Sequence, residues 1–285
     1  MIMSMTGFGK KETQYEDKNI SIEIRSLNSK NADINLRSPN YLRELDPEIR
    51  KKLIMKMYRG KIDVNIYVDF NGETAPSRIN SGIVKAYMKQ LEDIGVSSES
   101  ERMAIAMRLP DTLSSEKDVL EEDEKKVLYK TLEEVIKDIE GFRKDEGTEL
   151  GKDISLRINL IESHLQSAVK LDSERNIKIE EKLRSALENI KQEVDANRFE
   201  QELIFYLEKF DITEEKVRLK NHLNYFREIM KNDFPNGKKL GFISQEIGRE
   251  VNTIGSKANH VELQKIVVQM KDELEKIKEQ LLNVI

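Results

Sequence analysis

Residues 245–259 hold the densest mixture of reactive side chains in the chain. Gln245-Glu246-Ile247-Gly248-Arg249-Glu250-Val251-Asn252-Thr253-Ile254-Gly255-Ser256-Lys257-Ala258-Asn259 sets acids, bases, amides and hydroxyls beside few large apolar groups. Glu246 and Glu250 are four apart and share one face of a helix, with Arg249 three after Glu246. Acids beside bases suit either a metal-assisted phosphate site or a structural ion-pair network. Asn252 to Ser256 reads as a helix end followed by a fresh N-terminus, whose free N–H groups would meet an anion.

The chain has only three histidines. His164 lies on a heptad-like helix and is expected to do no chemistry. His260 sits near a helix start and is expected to be exposed. His222 shares a helix face with Glu214 and Arg218. With Glu246 and Glu250 it would supply one imidazole and two carboxylates, a set that suits Mn²⁺ or Mg²⁺ better than structural zinc. The Pro235-Asn236-Gly237 turn lets the helix carrying His222 fold back on the helix carrying both acids. The spacing is not a recognised metal motif, and a lone helix histidine is most often a structural or surface group.

A second polar region lies near the start. Ser4-Met5-Thr6-Gly7-Phe8-Gly9 places Phe8 between glycines, where a base could stack, and an edge strand with a bulge explains it as well. Glu23, Arg25, Asn28 and Lys30 follow. Arg25 and Lys30 could meet phosphates, although a surface ion pair accounts for Glu23 and Arg25 equally.

These residues must be positioned by a chain long enough for one large or two ordinary domains. The 285 residues are 38% hydrophobic and 35% charged, which predicts long helices or an elongated shape. The net charge of -5 does not advertise nucleic-acid binding, yet 48 Lys and Arg can cluster locally. The absence of cysteine excludes disulfides, a thiolate nucleophile and Cys-ligated zinc. No Walker loop, Rossmann fingerprint or nucleophile elbow is present. No apolar run reaches membrane-span length and no signal-peptide pattern occurs, so a cytoplasmic protein without membrane association is expected.

The fold class expected is α+β: an N-terminal mixed strand/helix domain over 1–155, then a long-helix, coiled-coil-like region over 156–285. Alternation predicts strands over Ile20–Ser26, Ala32–Leu36 and Lys61–Phe70. Helical spacing runs from Tyr41 to Tyr58, with Asp46-Pro47 marking a start and Arg59-Gly60 the end. Shorter helices are expected over Ile79–Ile94 and Glu101–Leu109. From about Asp123 the pattern changes. Ile154, Ile158, Ile161, Leu165 and Ala168 step by four and three, as do Ile179, Leu183, Ala186, Ile190 and Val194, predicting a coiled-coil or helical-hairpin seam. Gly141, Gly147 and Gly151 predict a bend or close approach. Thr213 is expected to cap a helix reaching about Asn232, and Val261–Ile285 to form a last amphipathic helix.

In order along the chain, several segments resemble the bacterial YicC/YloC family. They are Met3 to Gly9, Glu23 to Lys30, Arg59-Gly60-Lys61, Arg143-Lys144-Asp145-Glu146-Gly147-Thr148-Glu149-Leu150, Asp211 to Glu215, Arg218 to His222, Gly237 to Leu240 and Gln245 to Asn259. One departure is Gly248, where the family pattern has Asn. The resemblance implies a divalent-metal-dependent endoribonuclease acting on single-stranded RNA, associated with RNA turnover and stress response. It also implies a ring-like homo-oligomer, expected to be a hexamer.

Combining residue types with that resemblance gives the working assignment. Glu246, Glu250, His222 and Arg249 are the expected catalytic residues of a phosphodiester hydrolase, with His222, Glu246 and Glu250 as ligands for Mn²⁺ or Mg²⁺. Phe8, Arg25, Asn28, Lys30, Arg218, Asn252, Ser256 and Lys257 are the expected RNA contacts. Two other readings stand beside it: a non-catalytic RNA-binding adaptor, which needs the bases but not the acids, and a structural oligomer whose Glu–Arg pairs are interface ion pairs.

Overall fold

The computed structural model describes residues 2–70, 78–114, 120–188, 196–232, 234–258 and 260–285. Ile190, Val194 and Asn259 lie outside them, and so do the side chains of Ile179, Leu183 and Ala186. The chain is α+β and divides into two compact units, one of residues 8–26 and 31–139, the other of 1–7, 27–30 and 140–285.

The first unit is built on β1 (Gly7–Tyr15), β2 (Lys18–Leu27), β3 (Ala32–Arg37) and β4 (Gly60–Phe70), ordered β1-β2-β4-β3. β3 and β4 run parallel, in register from Ala32↔Gly60 to Arg37↔Asn65. Parallel neighbours need a crossover, and a 3₁₀ turn (Asn40–Leu45) with α1 (Asp46–Met57) supplies it. Strand alternation puts Ile20, Ile22 and Ile24 of β2 and Ile62, Val64 and Ile66 of β4 in one core with Ile49 and Leu53 of α1. Leu128, Leu132 and Val135 join it from the start of α4 (Glu122–Glu188). Each such side chain contributes roughly 1.5–3 kcal/mol by leaving water. Gly9 is required by close packing: a Cβ there would lie 2.9 Å from both Val135 O and Ile139 Cγ1.

The remaining elements of this unit are short. β5 (Arg78–Ile79) pairs antiparallel with β6 (Leu113–Ser114), flanking α2 (Ser81–Asp93) and α3 (Glu99–Ala106). The helix expected from Ile79 begins at Ser81, because Asn80 Oδ1 accepts from Ile83 N at 3.3 Å and Ile79 belongs to β5. That from Glu101 begins at Glu99, capped by Ser98.

The second unit is helical: α4 from Glu140 onward, α5 (Ala196–Lys209), α6 (Thr213–Asn232), α7 (Gly237–Lys257) and α8 (Val261–Leu281). The seam Ile154, Ile158, Ile161, Leu165, Ala168 is buried in a core shared with α6, α7 and α8. The glycines expected to bend or approach lie inside the continuous α4. Gly147 is a close approach, since a Cβ there would stand 2.4 Å from Ile2 O. The N-terminal residues run beside the end of the chain: Ser4 bridges Val284 antiparallel, and Met5 N donates to Asn283 O at 2.8 Å.

Candidate active site

The α6–α7 hairpin carries most of the residues singled out from sequence. Its first helix starts at an acid. Asp211 Oδ1 accepts from Thr213 N at 3.1 Å and from Thr213 Oγ1 at 2.7 Å, so Asp211, and not Thr213, satisfies the helix start. The Thr213 hydroxyl holds the Asp211 carboxyl below its ordinary value of 3.8, against a smaller opposing effect of burial. Between the helices, Asn236 is fully buried and donates from Nδ2 to Ile229 O at 3.3 Å. The N–H groups of Asn236 and Gly237, at the start of α7, donate to Ile285 O at 3.1 and 2.8 Å.

Along α7 one row packs inward (Leu240, Ile243, Ile247, Val251, Ile254), with Ser244 and Glu250 buried beside it and the other polar residues on the remaining surface. Arg249 Nη1 meets Glu246 Oε1 at 2.8 Å, with the Arg249 side chain 73% exposed. A guanidinium has five N–H donors, so one ion pair leaves Arg249 able to bind phosphate. Glu250, one turn beyond Glu246, is buried. Among the described residues no side-chain hydrogen bond or ion pair involves it, and the same holds for the half-buried His222. Glu250 is therefore the acid of α7 that no ion pair with a neighbouring base accounts for, which leaves its carboxylate for other work. Asn252 and Ser256 are exposed.

The fresh helix start expected at Asn252–Ser256 is absent. α7 continues to Lys257, Thr253 Oγ1 donates to Arg249 O at 3.0 Å, and Ser256 Oγ to Thr253 O at 2.9 Å. The backbone N–H groups are used within the helix, so they are not presented to an anion. Gly255 serves packing instead: a Cβ there would lie 3.0 Å from Val267 Cγ1 of α8. Gly248 likewise faces α8, with Leu274 Cδ2 3.3 Å from a Cβ built on it.

On α6, Arg218 pairs with Glu214 on an exposed face. Lys257 points back to α6, its Nζ 2.8 Å from Oε1 of the buried Glu215. Beside this pair lies a buried polar group that sequence reading missed. Asp172 Oδ2 accepts from Lys216 Nζ at 2.8 Å, Asp172 Oδ1 stands 2.7 Å from Arg175 Nη2 as an ion pair, and Arg175 reaches Phe210 O at 2.8 Å and Lys257 O at 3.3 Å. A signal existed: positions 172 and 175 continue the four-and-three steps of the apolar seam, so charged residues there had to be buried and paired.

Among the described residues no group of three or more His, Asp or Glu is arranged to hold a metal ion. His222, Glu246 and Glu250 therefore do not make a three-ligand cage there. His260 has another task, its Nδ1 accepting from Leu263 N at 3.4 Å as the cap of α8. His164 is partly buried on α4.

The remaining expected RNA contacts lie elsewhere. In the sheet-bearing unit, Arg25 Nε meets Glu23 Oε1 at 2.6 Å and its guanidinium stands 5.5 Å from the ring centre of the exposed Phe8. Asn28 Nδ2 reaches Asn283 Oδ1 at 3.5 Å, and Lys30 is exposed; both belong to the helical unit.

An α+β chain whose helical unit exposes a hairpin of acids and bases is the class the geometry defines. The endoribonuclease YicC-like N-terminal region matches residues 2–152, and the corresponding C-terminal region matches 167–285. A probable endoribonuclease YicC of Clostridioides difficile (strain 630) is 31% identical over 296 aligned residues, covering 100% of both chains. One of Haemophilus influenzae is 28% identical, covering 99% of each. The chain belongs to the YicC-like endoribonuclease family. Among the described residues no helix is long and apolar enough to cross a membrane.

Proposed function

We propose that this protein is an endoribonuclease that cuts single-stranded RNA and serves RNA turnover, with its chemistry on the α6–α7 hairpin. The observation that carries the reading is full-length similarity to chains named as probable endoribonucleases. Within the hairpin, Arg249 and Arg218 are exposed cations that can exchange their carboxylate partners for a phosphate, lowering the charge of a pentavalent phosphorane. Glu246, Glu250 and His222 are the groups able to move a proton to or from the attacking and leaving oxygens. Asn252 and Ser256 extend the same helix as hydrogen-bonding contacts for the strand. Phe8 and Arg25 offer a ring and a guanidinium for an unpaired base.

Dependence on Mn²⁺ or Mg²⁺ and assembly into a hexamer belong to this proposal. The described residues of one chain lack a three-ligand cage, so a divalent ion would draw ligands from RNA phosphates, water or a second copy. Lys257 is reassigned within the reading: bonded to Glu215, it fixes α7 on α6 and supports the hairpin rather than the strand.

The test is incubation of purified protein with end-labelled unstructured RNA in Mn²⁺, Mg²⁺ or EDTA. Internal cuts in a divalent ion that disappear in EDTA are expected. Intact RNA under all three conditions would remove the enzyme reading, and gel retardation without cutting would favour the adaptor.

A further inference from the structure

A cleft of about 540 Å³ opens between α4 and α6 within the helical unit, away from the acids of α7 in sequence and unassigned by the reading above. Its apolar side is Leu165, Val169 and Val217, of which Val169 and Val217 are 41% and 57% exposed. Its polar side is Lys170, Lys216 and Lys220.

The charge of this cleft is unlike that of the whole chain, which is net acidic. Lys216 is anchored on buried Asp172, but Asp172 also holds Arg175, so two cations share one carboxylate and positive charge is left over. The acid on the rim, Glu162, is matched by Arg227 at 2.6 Å. Lys170 and Lys220 are exposed, and no ion pair among the described residues involves either. A half-apolar, half-cationic cleft complements a molecule with flat apolar faces and regularly placed anions. Paired RNA hides its bases, whereas a single strand presents both.

We propose that this α4–α6 cleft is a strand-holding subsite for single-stranded RNA, with a base against Val169 and Val217 and flanking phosphates on Lys170 and Lys220. The inference rests on the endoribonuclease reading and adds a binding site outside its catalytic hairpin. It explains why two valines stay exposed beside three lysines on helices whose other faces supply the core.

Fluorescence anisotropy of a labelled, unstructured oligoribonucleotide tests it on the full chain in EDTA, where the proposed cleavage stops, with the RNA checked intact afterwards. Lys170→Glu/Lys220→Glu is expected to weaken binding by roughly tenfold or more, through loss of counterion release. Val169→Ser/Val217→Ser is expected to weaken RNA binding while leaving competition by inorganic polyphosphate unchanged. Circular dichroism checks that each variant is folded. Unaltered RNA affinity in both folded variants, with the unmodified protein binding and cutting, overturns the subsite and leaves the enzyme reading standing. A shift of the lysine variant's elution volume in size-exclusion chromatography assigns the cleft to contact between copies and also overturns it. Failure of the unmodified protein to bind or cut RNA removes the enzyme reading and the subsite together.

Discussion

Thr6 Oγ1 donates to Glu146 Oε2 at 2.6 Å, across 140 positions of sequence. Ser4 Oγ lies 2.9 Å from the same hydroxyl, Ser4 N donates to Arg143 O at 2.9 Å, and Arg143 Nη2 donates to Met5 O at 3.0 Å. Two segments that carry the family resemblance in sequence, Met3 to Gly9 and Arg143 to Leu150, thus hold one another. Arg143 is almost fully buried, and desolvation pushes its guanidinium down to about 10, so its charge is retained at neutral pH. Thr6→Val should lower unfolding stability by about 1–3 kcal/mol through the bereft carboxylate, without changing RNA affinity. Urea titration and RNA binding measured together check this. Weaker RNA binding with an unchanged midpoint would make Thr6 a substrate contact.

Gly147 and Gly141 should separate sharply. A Cβ at Gly147 meets Ile2 O at 2.4 Å, whereas nothing lies within 4 Å at Gly141. Gly147→Ala must push the N-terminal segment off α4 and should lower the melting temperature. Gly141→Ala should be neutral or gain roughly 0.5–1 kcal/mol from helix propensity. Equal responses of the two variants would contradict the close approach.

The Asp172 group makes a larger prediction. Asp172→Ala leaves Arg175 and Lys216 sharing a site with their carboxylate removed, and Arg175 is 3% exposed. Removing one partner of a buried pair costs about 3–5 kcal/mol. Chemical denaturation should show that loss, and a change below about 1 kcal/mol would mean the cations relax into solvent.

Asp211 gives a pH signature. Its carboxyl is held below 3.8 in the folded chain, chiefly by the Thr213 hydroxyl. A depressed carboxyl stabilises above its unfolded value and loses that contribution as pH falls through the folded one. The stability gap between the unmodified chain and Asp211→Ala should hold from neutrality to about pH 5 and narrow below that. A gap that is constant into strong acid would show that the cap does not depend on charge.

The strands were legible because alternation is a local property: Ile20–Ser26, Ala32–Leu36 and Lys61–Phe70 fall within β2, β3 and β4. β1 beyond Gly9 was not, because Lys10 to Tyr15 offers almost no apolar alternation and is held by its place at the sheet edge. Asn252–Ser256 misled, because a glycine that stops a helix and one that lets a second helix approach are identical in sequence; only Val267 against Gly255 decides. The acid–base spacing of Glu246 and Arg249 was readable, whereas the tie of Lys257 to Glu215 depends on helix pairing across 42 positions.

Cleavage of end-labelled single-stranded RNA by the unmodified chain beside Glu246→Gln and Glu250→Gln tests the central claim most directly. Cutting by the unmodified chain should fall about 100-fold or more in at least one variant, as loss of a proton-transfer group does, with RNA affinity and assembly retained. Undiminished cutting by both variants would contradict an active site on the α6–α7 hairpin.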